Sequence, residues 1–313
     1  MKKKVREIKN FFKNFSDSLY YFDIGAALPF NNFLRYYKNI LTIKLFEPNQ
    51  IEFSKLKKIN YIKKKEVFKS AIGNKKKLKF HIYDSSNLSS VFKLDKRYSS
   101  ILKKFKLKKK ITIYPKKLSN FLNNNHKKTG NTLKIDVQGM ALDCLKSAGK
   151  KIEYFSVIIV EAEIFKIYKN QNSIGDLDNF LNNKKFINLG SICRFERSIY
   201  RKNIKYNFRE LNYANNYLYI KNIFTQKLNK IEYINIIFYL FEFKFYDLAE
   251  YLINEKLKYS HNQSKLKKLL NNLKKIEKEN LNLSIKKLNK KSKSIKNLLS
   301  CFDNSKEVFS DFR

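Results

Sequence analysis

Short apolar runs alternate along this chain with longer segments of helical spacing. The β-rich runs are Leu19–Ile24, Leu41–Phe46, Glu66–Ala71, Leu78–Tyr83, Ile111–Tyr114, Thr132–Asp136, Ser156–Glu161, Phe186–Ile192 and Tyr217–Ile220. Between several of them, Phe30–Lys38, Asn49–Lys57, Met140–Ala148 and Ile174–Asn182 have the periodicity of helices. Strands that alternate with helices predict βαβ units and a mostly parallel sheet covered on both faces. The runs YYFDIG, IKLFEP, TLKID and VIIVE are almost continuously apolar and close on an acidic residue. Strands buried on both faces have this pattern.

Beyond about residue 222 the strand pattern stops. Residues 228–257 have apolar positions at helical spacing with a break near Phe243 and Lys244, which predicts a pair of helices. Residues 262–300 are rich in Lys, Asn and Leu with helical period and predict a solvated amphipathic helix. The first residues predict a short basic helix whose apolar side (Val5, Ile8, Phe11, Phe12, Phe15) docks on the main domain. The domain limits that follow are 1–18 for this helix, 19–222 for the α/β domain and 223–313 for a Lys-rich helical extension.

Charge changes the picture less than its size suggests. The net charge is +40, from 67 Lys and Arg against 27 Asp and Glu. An anionic partner is one reading. The basic residues are nearly all Lys, Asn and Ile are abundant and Trp is absent, a skew that AT-rich coding also produces. Arg, which makes the bidentate contacts of base readout, is rare, so no specific nucleic-acid partner is expected. Aromatics interleaved with Lys over 201–225 are expected to close the last strands. The N-terminal helix leaves peripheral contact with an anionic membrane open.

Cys144, Cys193 and Cys301 form no CxxC pair and lack His partners at zinc spacing. Reduced thiols and a cytoplasmic location are expected. The opening residues lack the apolar stretch of a signal peptide, and Ile231–Leu248 is too polar to span a bilayer. Three isolated histidines give no metal site. His81 is expected to be a satisfied surface residue, and His126 and His261 carry no role.

Ligands of an open parallel sheet bind outside the carboxyl ends of the strands. Asp23-Ile24-Gly25-Ala26-Ala27 follows the first strand, and Gly25 can take a positive φ. Glu47 lies 24 residues after Asp23, at the end of the second strand. That spacing suits a carboxylate holding the two ribose hydroxyls of an adenosine cofactor. A nicotinamide dinucleotide needs several glycines for its pyrophosphate, whereas this turn has one, and Pro29 removes a donor. S-adenosylmethionine has no phosphate and a cationic sulfonium, which Asp23, Glu47 and Asp136 suit.

Six stretches in order (YFDIGAA, IKLFEPNQIEFSKLKK, VFKSAIGNKKKLKFHIYDSSNLSS, TLKIDVQGMALDCLKSA, VIIVEAEIFKIY and IGDLDNFLNNKKF) resemble the FkbM-type methyltransferases. The resemblance covers about residues 19–220 and is most specific in LKIDVQG and the following LDCLK. It implies a class I methyltransferase, Rossmann-like α/β fold with a mostly parallel seven-stranded sheet, to which the C-terminal helical extension is added. It also implies S-adenosylmethionine-dependent O-methylation of a sugar, glycan or related small molecule. Carried over by residue, Asp23, Gly25 and Ala26 would line the methionine side of the cofactor and Glu47 would hold the ribose. Ser70 and Ala71 would lie against adenine. Asp136 would meet both cofactor and acceptor, and Gln138 and Gly139 would touch the acceptor. Asp136 and Glu161 are the candidate bases, and Glu163 stays open between the same role and a solvent-facing carboxylate. The segment Ser85–Ser90 resembles the family's Ser-rich lid. The family's usual Asn is Ala27 here, its second Gly is Pro29, and a Glu after VQG is Ala141. These departures keep a cofactor-binding pseudoenzyme open as an alternative, beside a polyanion-binding module.

Overall fold

All nine β-rich runs form strands in the computed structural model, which describes residues 2–28, 32–84, 88–98, 106–197, 211–258 and 260–302. They are β1 (Leu19–Ile24), β2 (Thr42–Phe46), β3 (Lys65–Phe68), β4 (Leu78–Tyr83), β5 (Leu107–Ile113), β6 (Gly130–Ile135), β7 (Phe155–Glu163), β8 (Phe186–Arg197) and β9 (Leu211–Lys221). The helices are α1 (Lys2–Phe12), α2 (Asn32–Tyr37), α3 (Gln50–Lys57), α4 (Ala141–Lys146), α5 (Ile174–Asn183), α6 (Lys230–Glu242), α7 (Tyr246–Tyr251) and α8 (Gln263–Phe302). Pro29, Ser85–Asn87 of the Ser-rich segment, residues 201–210 and the side chain of Cys301 lie outside the described residues.

Seven strands make one sheet in the order β3-β2-β1-β6-β7-β9-β8. Its first five members are parallel, and β9 runs antiparallel to both β7 and β8. Strand order reverses between β1 and β6, which opens a crevice at their carboxyl ends. This is the mostly parallel α/β sheet expected of a Rossmann-like methyltransferase, followed by helices. The β4–β5 ribbon stands apart, antiparallel and lysine-rich. Its exposed positions tolerate Lys108, Lys109 and Lys110, so β5 starts earlier than its apolar end predicts.

Parity along the strands sorts side chains between two cores. Tyr21, Ile43, Leu45, Val157, Ile159, Leu218 and Ile220 face α1, α2, α6 and α8. Phe22, Ile24, Phe46, Leu133, Ile135, Ile158 and Val160 face α4 and α5. α6 lies on the first face, where a Cβ on Gly130 would come within 2.7 Å of Asn235 Cβ. Between Asn131↔Phe155 and Thr132↔Val157 the register steps by one, and Ser156 is the extra residue. The bulge lets Asn235 Nδ2 donate to both Thr132 Oγ1 (3.1 Å) and Ser156 Oγ (2.8 Å).

The predicted break after residue 242 is real. α6 ends at Glu242, Lys244 has φ +67°, and α7 begins at Tyr246. α1 docks through Val5, Ile8 and Phe12 as its apolar side predicts. The expected solvated helix differs at its start, because α8 buries Leu266, Leu269, Leu270, Leu273 and Ile276 against the same core. No helix among the described residues is long and apolar enough to cross a membrane.

Candidate active site

The parity that buries Tyr21, Leu45, Thr132 and Ile159 beneath α6 continues to the strand ends, where it places Asp23, Glu47, Lys134, Asp136, Glu161 and Glu163 on that same face. Asp23 is directly opposite Lys134 across β1 and β6. Gly25 follows with φ +80°, and a Cβ there would lie 1.9 Å from the carbonyl oxygen of Asp136. Only glycine lets the two strand exits pass this closely. The N–H groups of Gly25 and Ala26 both donate to the Phe46 carbonyl, and Ala26 is fully buried.

Lys134 is the centre of the cluster. Its Nζ is 3.0 Å from Asp23 Oδ1 and 3.2 Å from Asp136 Oδ2. Burial alone would lower this ammonium, but the charges of Asp136, Asp23 and Glu161 outweigh burial and raise it above the ordinary lysine range. Burial pushes Asp23 up, with Lys134 pulling the other way.

Gln138 joins the two candidate bases. Its Nε2 donates to Asp136 Oδ1 at 3.0 Å and to Glu161 Oε1 at 2.8 Å. The Tyr168 hydroxyl donates to Gln138 Oε1 at 2.9 Å, so both ends of the amide are engaged within the protein. Gln138 takes the left-handed backbone (φ +50°), and Ser90 Oγ donates to its carbonyl at 2.6 Å. Gly139 lies beneath Phe92, Tyr168 and Gln171. These rings belong to a small apolar cluster with Tyr83, Leu94 and Ile167 that roofs the rim.

The three glutamates at the rim are displaced upward, and two of them, Glu47 and Glu163, are buried. Glu47 accepts the N–H of Asn49 (2.6 Å), and burial raises it to about 8. Glu161 is raised by burial, then by the charges of Asp136 and Glu163. Burial lifts Glu163 to about 7. Among the described residues no Lys or Arg pairs with Glu47, Glu161 or Glu163. The site therefore has more buried acid than base and favours a cation.

A family model described as Methyltransferase FkbM domain matches residues 23–187, from Asp23 to the start of β8. The chain belongs to the FkbM methyltransferase family. Comparison with curated proteins gives no match. The matched span carries every residue of the rim described above, from Asp23 on β1 to Glu163 on β7.

Within this FkbM domain, direct contacts join Asp23, Asp136, Gln138 and Glu161, and Glu47 feels the charges of Asp23 and Lys134. Ser70 and Ala71 lie past the end of edge strand β3 and bond locally. Ser70 Oγ donates to the Ala71 carbonyl (2.9 Å), which also accepts the Lys116 N–H (2.9 Å). That bonding draws them out of the β3 ladder, which stops at Phe68. Ala27 is exposed, and Ala141 opens α4 as a buried residue.

Lys134, Tyr168 and the burial of Glu163 were not legible as site features. The signal for Lys134 was its place two residues before Asp136 in LKIDVQG, which puts both on one face. Glu163, two residues after Glu161, is only 5% exposed rather than solvent-facing. His81 is buried too, not a surface residue. Its backbone bridges Ser90, its Nδ1 takes no hydrogen bond among the described residues, and burial lowers its pKa.

Proposed function

We propose that this protein transfers the methyl group of S-adenosylmethionine to a hydroxyl of a sugar, glycan or related small molecule. The observation that carries the reading is that Asp23 and Asp136 pair with one buried lysine, Gln138 ties Asp136 to Glu161, and Glu47 ends the neighbouring strand β2, all at the crevice where strand order reverses. The donor set fits the cofactor, because buried carboxyls in excess over ammonium groups attract a sulfonium, and Glu47 stands where ribose hydroxyls would donate to it. Bound there, the cofactor supplies a methyl group already activated on sulfur.

The chain's share is alignment, exclusion of water and removal of one proton. Holding acceptor and donor in line is worth about 7–11 kcal/mol of the barrier. Glu161 is the stronger choice of base. Burial and its neighbours raise its proton affinity, whereas Asp136 is in contact with the Lys134 ammonium. With Asp23, Glu47 and Asp136 holding the cofactor that would supply the methyl group, the Glu161 carboxylate would take the proton that the acceptor hydroxyl gives up. Gln138, fixed by Tyr168, keeps that carboxylate facing the crevice.

Calorimetric titration of S-adenosylmethionine into wild-type and Glu47→Ala protein tests the reading. Saturable heat is expected with the wild type, weakened at least about tenfold in the variant through loss of the Glu47 hydrogen bonds to the ribose. Wild-type protein that binds nothing would remove the proposal.

A further inference from the structure

The acidic cluster occupies the β1–β6 side of the rim, and the β7–β9 side has a different character. Glu161 pairs with Asn216 across these antiparallel strands, and Glu163 pairs with Ala214. Directly opposed residues share a face, and so do residues two apart on one strand. Asn212, Ala214 and Asn216 therefore line the same face as Glu161 and Glu163.

Three oxygens on this face are withdrawn from solvent and take no hydrogen bond among the described residues: Glu163 Oε1, Asn212 Oδ1 and Asn216 Oδ1. Glu163 itself is 5% exposed. Buried polar atoms are almost always satisfied, and a run of exceptions beside a reactive carboxyl marks a place where a ligand completes the bonding. The two amide oxygens are acceptors, and so is Glu163 in its ionised form, so the missing partner is a donor. One ammonium group cannot serve them, because four residues of strand separate Asn212 from Asn216, about 13 Å. A row of hydroxyl groups can. Asn215 points to the other face, where its Nδ2 donates to Tyr217 Oη (3.1 Å) and its Oδ1 also lacks a partner among the described residues, and it is not part of the row.

We infer that Glu163, Asn212 and Asn216 form an acceptor subsite on β7 and β9 that receives the hydroxyls neighbouring the one presented to Glu161. The ligand class is a polyhydroxylated ring or short saccharide, not a simple alcohol or an amine. The inference rests on the methyl-transfer reading of the adjacent crevice and adds what the acceptor must carry. An isolated hydroxyl would leave these three acceptors bare, so the subsite selects carbohydrate over alcohols of equal size.

Binding measured by saturation-transfer NMR on the full chain tests this, with and without S-adenosylhomocysteine. The probes are the methyl glycosides of glucose, galactose and mannose, then cellobiose, cyclohexanol and methylammonium. At least one saccharide is expected to bind about tenfold or more tighter than cyclohexanol, the worth of one or more hydrogen bonds. Asn216→Leu and Asn212→Leu should each lose that preference while S-adenosylhomocysteine affinity and melting temperature stay near wild type. Should Asn216→Leu fail to fold, Asn216→Ser and Asn212→Leu carry the same expectation. Equal binding of saccharides and cyclohexanol overturns the subsite. Full saccharide affinity in the Asn variants, or methylammonium binding in place of sugars, does so as well. Saccharide binding without any S-adenosylhomocysteine binding would keep the subsite and remove the cofactor reading instead.

Discussion

One face of the central strands contains two regions, one at each end of the strands. Toward the strand starts, Leu19, Tyr21, Ile43, Leu45, Val157 and Ile159 lie under α1, α6 and α8. Toward the strand ends the same parity presents Asp23, Glu47, Lys134, Asp136, Glu161 and Glu163. Apolar burial at roughly 25 cal/mol per Å² stabilises the first region. The second holds its charges buried at a cost. Even the polar residues differ. In the packed region Asn235 satisfies Thr132 and Ser156 and only the Tyr239 hydroxyl lacks a partner among the described residues, whereas at the rim Glu163, Asn212 and Asn216 all keep unpaired oxygens. Free energy not used to hold the fold together is available to hold a ligand.

The contrast is sharpest where a partner is removed from each region. Phe238, fully buried, meets the rings of Phe12 (4.9 Å), Tyr37 (5.0 Å) and Phe33 (5.6 Å). Phe238→Ala should cost about 3–5 kcal/mol, read from denaturant unfolding, and equally from pH 5 to 8 because no proton is involved. Lys134→Met should cost up to about 3–5 kcal/mol near neutral pH by stranding buried carboxylates. That cost should shrink as acid protonates Asp23, whose carboxyl burial pushes up. A pH-independent loss in Lys134→Met would erase the distinction between the regions.

Glu47→Gln gives the smallest effect and the opposite sign. Glu47 titrates near 8 in the fold against 4.5 for its ordinary value. The folded protein keeps a proton that the unfolded chain releases, so this group's stability is full below about 4.5 and is lost as pH rises to about 8. The Gln variant lacks that loss and should be more stable than wild type above pH 8 by at least about 1 kcal/mol. Equal stability at pH 5 and 9 in the wild type would mean that Glu47 is not buried.

Periodicity made much of the architecture legible. The nine strands, the helix break at Lys244 and the docking side of α1 are all local patterns of two or 3.6 residues. Asp23, Glu47, Asp136 and Glu161 were visible because acidic residues closing apolar strands must gather at one rim of a parallel sheet. Gln138 was visible by position but not by role, since its bonds to Asp136, Glu161 and Tyr168 depend on a left-handed backbone that no spacing announces.

By itself, then, the chain determined which segments are strands, which are helices, and which acids stand at strand ends, since each is a property of neighbouring residues. Only the tertiary structure decided that β4 and β5 leave the sheet, that α6 and the start of α8 roof it, and that Lys134 and Glu163 are buried. Those outcomes depend on register between segments distant in sequence. β1 meets β6 across more than a hundred residues, and Lys134 has partners only because Asp23 arrives opposite it. Burial of a charge is set by what packs around it, and neither charge nor spacing along the chain contains that information.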